Sequence, residues 1–186
     1  GLEALNIDKI HSMVGFATEG ITGVSASHVE MNSGLQFFDT ISTEDIQQIL
    51  IKSANDLISL DNPNYQYVAA RLLLFSLRKN LFHRLWEHPK FINHIKKLID
   101  LGLYDNGILT NYTEAEIDRM GMWIDHERDY SFTYAGLRQV MDKYLVQDRS
   151  TGEIFETPQF MYMMIAATLF AKYPKESRLQ YVKKYY

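Results

Sequence analysis

The stretch Asn62-Pro63-Asn64-Tyr65-Gln66-Tyr67-Val68-Ala69-Ala70-Arg71-Leu72-Leu73-Leu74-Phe75 decides the fold. Asn62-Pro63 reads as a helix start, with proline at the first helical position, where its missing N–H costs no hydrogen bond. Tyr65, Val68, Ala69, Leu72 and Phe75 then recur at spacings of three and four, which places them on one buried stripe. Ala69 and Ala70 are small, so a second helix can approach closely there. Arg78 and Lys79 follow in the last turn, where cations complement the helix dipole.

Upstream of that helix the pattern is also helical. Asn6 is a good N-cap, and Ile7, Ile10, Val14 and Ala17 follow on one stripe until Gly20 and Gly23. Ser27 and Glu30 read as a capping box for a short second helix, closed by Gly34. Leu35-Gln36-Phe37-Phe38 reads as a brief strand. Ser42-Thr43-Glu44-Asp45 is a helix start with acids in the first turn, and Ile46, Ile49, Leu50, Ser53 and Leu57 share a face after it. Four helices before residue 83 make a compact first unit.

Downstream, His83 to His88 reads as a connection, reinforced by Pro89. A helix is expected over Phe91 to Leu101, stopped by Gly102. Thr113 and Glu116 form another capping box, ahead of Ile117 and Met120. Tyr144-Leu145-Val146 and Ile154-Phe155, on either side of Asp148-Arg149-Ser150-Thr151-Gly152, read as a β-hairpin. Thr157-Pro158 opens an apolar helix that ends near Tyr173-Pro174. The last segment, Lys175 to Tyr186, is helical in pattern and stops without a cap or polar tail, which reads as a fragment of a longer or split polypeptide.

The composition excludes several classes. The chain has 186 residues, 46% hydrophobic and 23% charged, which suits a globular chain with a core. It has no cysteine, so it carries no disulfide, thiolate zinc site or thiol chemistry of its own. That is compatible with a reducing cytoplasm. The net charge of -4 argues against a general polyanion binder but leaves room for a local basic pocket. The longest apolar run, Phe160 to Phe170, is shorter than the roughly 20 residues of a membrane span. The first residues, Gly1-Leu2-Glu3-Ala4, do not resemble a signal peptide.

Catalytic motifs are absent: there is no phosphate-binding glycine loop and no Gly-x-Ser-x-Gly elbow. His88 and His94 read as surface histidines. Trp123 to Asp129 is a dense polar cluster, read as a charge-paired interdomain turn in preference to an acid–base site. Lys9 in the first turn of helix one, Thr43 at the start of helix three and Lys79 at the end of helix four offer what a phosphate needs: positive charge, a hydroxyl and unsatisfied backbone N–H groups. The alternative for Lys79 is simple dipole complementation.

A collinear series of strings resembles the N-terminal region of the class I ribonucleotide reductase large subunit. In the first half these are Leu5-Asn6-Ile7-Asp8-Lys9-Ile10-His11, Ala17-Thr18-Glu19-Gly20, Thr43-Glu44-Asp45-Ile46, Ile51-Lys52-Ser53-Ala54 and Pro63 to Leu72. In the second half they are Tyr104-Asp105-Asn106, His126-Glu127-Arg128-Asp129, Lys143-Tyr144-Leu145-Val146, Thr151 to Phe160 and Arg178-Leu179-Gln180-Tyr181-Val182-Lys183. The resemblance implies a mainly α chain in two parts. Residues 1–82 would be an ATP-cone, a four-helix bundle with a small residual β element. Residues 83–186 would be the helical N-terminal part of the reductase domain, with one β-hairpin.

The resemblance also implies a nucleotide site. Glu3 and Asn6 match the positions that meet adenine, Lys9 a lysine lining the site, Thr43 the threonine that opens the third helix, and Lys79 the phosphate lysine. Gln47 stands where bacterial members often carry a histidine, and keeps hydrogen bonding without the option of positive charge. The family's Lys-Arg phosphate pair lies in a hairpin ahead of the glutamate, and this chain begins two residues before Glu3. The expected effector is ATP or dATP, with Mg2+. The expected partners are the remainder of the large subunit with its catalytic barrel, a second large subunit and the radical-generating small subunit. The cone surface around His11 and Gln47 is expected to face the small subunit.

The implied activity of the full complex is reduction of ribonucleoside diphosphates in the cytoplasm. The family's radical chemistry needs cysteines, so this cysteine-free chain is expected to regulate and assemble but not to reduce. Two alternatives stand beside that reading: a non-catalytic, cone-like interaction module, and a cone that no longer responds to dATP.

Overall fold

The computed structural model describes residues 7–34, 41–84 and 86–186. Glu3 and Asn6, and the strand expected at Leu35 to Phe38, lie outside them. The chain divides into two compact units: Gly1–Lys79 with Tyr130–Gln139, and Asn80–Asp129 with Val140–Tyr186.

The first unit is built on α1 (Ile7–Thr18), α2 (Ala26–Ser33), α3 (Thr43–Asp56) and the bulk of α4 (Tyr65–Phe82). Ile10, Val14 and Ala17 are buried as their spacing requires, while Ile7, the first residue of the same stripe, is largely exposed. α1 packs on α2, and α2 on α3. The α2 cap is Ser25 rather than Ser27: its hydroxyl accepts from the His28 N–H, and Glu30 lies 2.7 Å from the His11 ring on α1 instead of closing a capping box. α4 begins two residues later than Pro63 and buries the whole expected stripe along with Leu73, Leu74 and Leu77. Side chains tie it to the other helices. The Tyr65 hydroxyl accepts from the Ser25 N–H (3.1 Å), the Asn64 amide donates to the Thr22 carbonyl (2.9 Å), and Arg71 donates to the Glu19 carbonyl just past α1 (2.6 Å).

The second unit contains α5 (Phe91–Asp100), α6 (Gly107–Asn111), α7 (Glu114–Trp123), α9 (Pro158–Phe170) and α10 (Arg178–Tyr185). α8 (Tyr134–Lys143), capped by Thr133, runs across the Gln139–Val140 division. The Thr113–Glu116 capping box forms as written in the sequence, and Gly102, at φ +71°, follows α5 in the left-handed region that favours glycine. Phe160 on α9 centres the core, with Phe91, Ile95, Ile117, Met120 and Met163 fully or nearly fully buried.

Two expectations fail here. The hairpin is reduced to one antiparallel bridge, Gln147 to Ile154, with backbone bonds from Asp148 N–H to Glu153 O (2.8 Å) and Phe155 N–H to Val146 O (2.9 Å). The next ladder groups are taken by side chains: the Val146 N–H donates to Glu156, the Gln147 amide donates to the Met141 and Leu145 carbonyls, and Arg149 donates to carbonyls at the end of α8. His94 is not on the surface. It is 3% exposed because it shares the Phe91, Ile95 and Leu98 stripe, and its ring stacks on Phe160 with centroids 4.2 Å apart. His88 is half-buried, stacked on His126 at 3.6 Å.

Candidate functional site

The start of α3 carries the first candidate residues. Ser42 is the cap: its hydroxyl accepts from the Asp45 N–H (3.0 Å) and its carbonyl from the Ile46 N–H (3.0 Å). Thr43 therefore does not cap. It is the exposed first residue of the helix, with Glu44 and Asp45 beside it complementing the positive end of the helix dipole. One turn further on, Gln47 points inward. The buried stripe of α3 is Gln47, Leu50, Ile51 and Ala54, with Ser53 drawn in by donating to the Val29 carbonyl (2.7 Å). That stripe is rotated by about one residue from the one expected from Ile46 and Ile49.

Gln47 finds its partner on α4. The Ser76 hydroxyl donates to the Gln47 side-chain oxygen at 3.1 Å, and both residues are 5% exposed. With that oxygen occupied, the amide nitrogen remains a donor for another group. Ser76 and Lys79 are three residues apart, and Thr43 and Gln47 four apart, so each pair shares a helix face. The Gln47–Ser76 bond thus joins α3 to α4 one turn after Thr43 and one turn before Lys79. Lys79 is half-buried there. Lys9 is exposed in the first turn of α1, outside that hydrogen bond. The burial of Gln47 removes it from the exposed surface expected around His11, which is itself exposed.

Sequence reasoning missed Ser76. The available signal was a lone hydroxyl inside the apolar run Leu72 to Leu77, since a polar residue on a buried helix face needs a partner. It also missed Tyr130, which lies in the first unit against α4. The Arg71 and Arg78 guanidinium groups sit 5.4 and 5.2 Å from its ring centre, Arg78 donates to its hydroxyl (3.1 Å), and Phe75 meets its ring edge-on at 6.3 Å.

The polar cluster at Trp123 to Asp129 is structural. Asp125 accepts from the Glu127 N–H (3.0 Å) and faces Arg128 at 4.0 Å; Arg128 donates to the Tyr186 carbonyl (2.9 Å). Asp129, 1% exposed, accepts from Gln159 (2.8 Å), which in turn accepts from the Tyr186 hydroxyl (2.7 Å). These bonds tie Asp125, Arg128 and Asp129 of the cluster into structural contacts. Among the described residues no group of three His, Asp or Glu side chains is placed to hold a metal, and no helix is long and apolar enough to cross a membrane. The second unit also has an apolar cavity of about 590 Å³ between Tyr104, Tyr144, Met161, Tyr162 and Ile165. At its wall Tyr104 donates to buried Glu156, whose carboxyl burial pushes up.

Residues 1–80 match the ATP cone domain, and residues 130–186 match the all-alpha domain of ribonucleotide reductase. A cone of this kind defines a nucleotide-effector module. Over 184 residues, 99% of this chain, it is 50% identical to ribonucleoside-diphosphate reductase 1 subunit alpha of Escherichia coli strain K12. Over the same span it is 50% identical to the Haemophilus influenzae alpha subunit and 41% identical to that of Enterobacteria phage T4. Along nearly its whole length the chain is thus similar to the N-terminal, ATP-cone-bearing region of ribonucleoside-diphosphate reductase alpha subunits. It spans 24% of the length of each of these relatives.

Proposed function

We propose that this chain is the effector-sensing and assembly region of a ribonucleoside-diphosphate reductase, with ATP or dATP bound in the cone. The observation that carries the reading is the buried Gln47–Ser76 bond, one turn from Thr43 on α3 and one turn from Lys79 on α4, within a segment that matches the ATP cone. The Lys79 ammonium would meet phosphate oxygens, Thr43 would add a hydroxyl, and the Gln47 amide would donate to an oxygen of the sugar or phosphate. Lys9, with Glu3 and Asn6, would complete the site from the α1 side. Mg2+ would arrive on the triphosphate.

The functional division proposed is a cone over residues 1–82 and a helical reductase region over 83–186. The proposed partners are the rest of the large subunit with its catalytic barrel, a second large subunit and the small subunit, in the cytoplasm. The complex would reduce ribonucleoside diphosphates; the cysteine-free chain alone would not. Titration calorimetry with Mg–ATP and Mg–dATP tests the reading. Saturable heat with either nucleotide, weakened in Lys79→Ala, is the expected result. No heat with either nucleotide would overturn it.

A further inference from the structure

α4 has two working faces in its last three turns. Ser76 bonds to α3 with the candidate site lysine Lys79 one turn beyond it, while Arg71, Phe75 and Arg78, spaced by four and three, form the face that holds Tyr130. Lys79 and Arg78 are adjacent in the chain, so a rotation or shift of α4 that repositions one moves the other. Arg71 adds a second connection, because the same guanidinium that lies over Tyr130 donates to the Glu19 carbonyl just beyond α1, the helix that carries Lys9. Tyr130 therefore touches residues coupled to both helices that carry candidate site lysines.

Burial makes this contact consequential. Arg78 is 2% exposed, and its bond to the Tyr130 hydroxyl and stacking on that ring are interactions that gain strength out of water. Tyr130 also opens Tyr130–Gln139, the segment that clusters with the first unit although it lies far along the chain from Lys79. From Gln139 the backbone continues into the second unit.

We propose that Tyr130 is the positioning residue through which nucleotide occupancy of the cone is passed to Tyr130–Gln139. A nucleotide drawing Lys79 and Gln47 together shifts the end of α4, and the Arg71–Tyr130–Arg78 clamp carries that shift to the start of α8. This rests on the nucleotide reading above and adds the route by which it leaves the cone.

Hydrogen–deuterium exchange of the 186-residue chain, with and without Mg–ATP, tests it alongside calorimetry. The expected result is a nucleotide-dependent change of at least about threefold in exchange across residues 130–139. In Tyr130→Ala that change disappears while ATP affinity stays within about threefold. Tyr130→Phe, which keeps the ring but not the hydroxyl, gives a reduced change. A residue with only a structural role would raise exchange in the absence of nucleotide yet leave the nucleotide-dependent difference intact, and that outcome overturns the proposal. ATP binding with no change at 130–139 in the unsubstituted chain overturns it alone. Absence of ATP binding overturns both it and the nucleotide reading.

Discussion

The Ser76 hydroxyl donates to the Gln47 side-chain oxygen across 3.1 Å in the interior between α3 and α4. Removing the donor alone strands a buried acceptor, which costs about 1–3 kcal/mol. Ser76→Ala is therefore expected to lower the unfolding free energy by that amount in urea. Ser76→Ala combined with Gln47→Met, which removes both polar partners, is expected to cost less than the sum of the two single changes. Additive costs would show that the bond contributes nothing.

Lys79 is half-buried and lies on the Ser76 face of α4. Lys79→Ala is expected to reduce ATP affinity about 10- to 100-fold, the loss of one charge-assisted hydrogen bond of about 1.5–3 kcal/mol. Stability should change by less than about 1 kcal/mol. Calorimetry and urea unfolding on the same preparation separate the two effects; equal affinities would remove Lys79 from the site.

Arg178 is 3% exposed and grips Glu116 through contacts of 2.7–3.0 Å, while its guanidinium lies over the Tyr112 ring at 4.3 Å. Arg178→Ala leaves Glu116 with only its Thr113 bonds and is expected to cost about 1–3 kcal/mol. Burial pushes the Glu116 carboxyl up, but hydrogen bonds from Arg178 and Thr113 outweigh it and hold the group below 4.5. The stabilisation is thus present above 4.5 and is lost as the pH falls through the lowered folded value. Urea unfolding between pH 3 and 7 should show this acid loss, and Glu116→Gln should flatten it.

His94 carries a second pH dependence. Burial first, then the Lys97 charge, lowers it from 6.5 to about 3. The unfolded chain therefore binds a proton that the folded chain refuses between those values. Stability from this group is intact above 6.5 and falls by up to about 1.4 kcal/mol per pH unit below it, with the loss complete near the folded value. His94→Leu is expected to remove the part of the slope between pH 6 and 5, where Glu116 does not titrate. An unchanged slope there would contradict the burial of a neutral ring.

Helix existence was legible in the residues that act locally. Thr113 caps the helix it was expected to cap, α3 starts inside the expected Ser42–Asp45 stretch with Ser42 as its cap, and Gly102 ends α5, because capping bonds and left-handed backbone involve only near neighbours. Longer-range competition defeated the same reasoning elsewhere. Ser27–Glu30 has the spacing of a capping box, but His11 on another helix takes Glu30 and Ser25 takes the cap. The hairpin sequence is present, yet Glu156 and the end of α8 claim the groups a longer ladder needs. α6 has only five residues, too few for a periodic stripe, and α8 was missed although Thr133 offered a cap.

For the candidate site, the sequence by itself supplied the candidates: Lys9, Thr43, Gln47 and Lys79, all within the residues that match the ATP cone, and no cysteine anywhere in the chain. Residue type and covalent order are enough for that. Only the tertiary structure decided that Gln47 is buried, that Ser76 is its partner, and that Tyr130 lies against Arg71 and Arg78. Those pairs are separated by 29 to 59 residues, and a hydrogen bond or a ring contact acts over a few ångströms. Their formation depends on how whole helices rotate and pack to bury their apolar stripes, which periodicity within one helix fixes only to within about a residue.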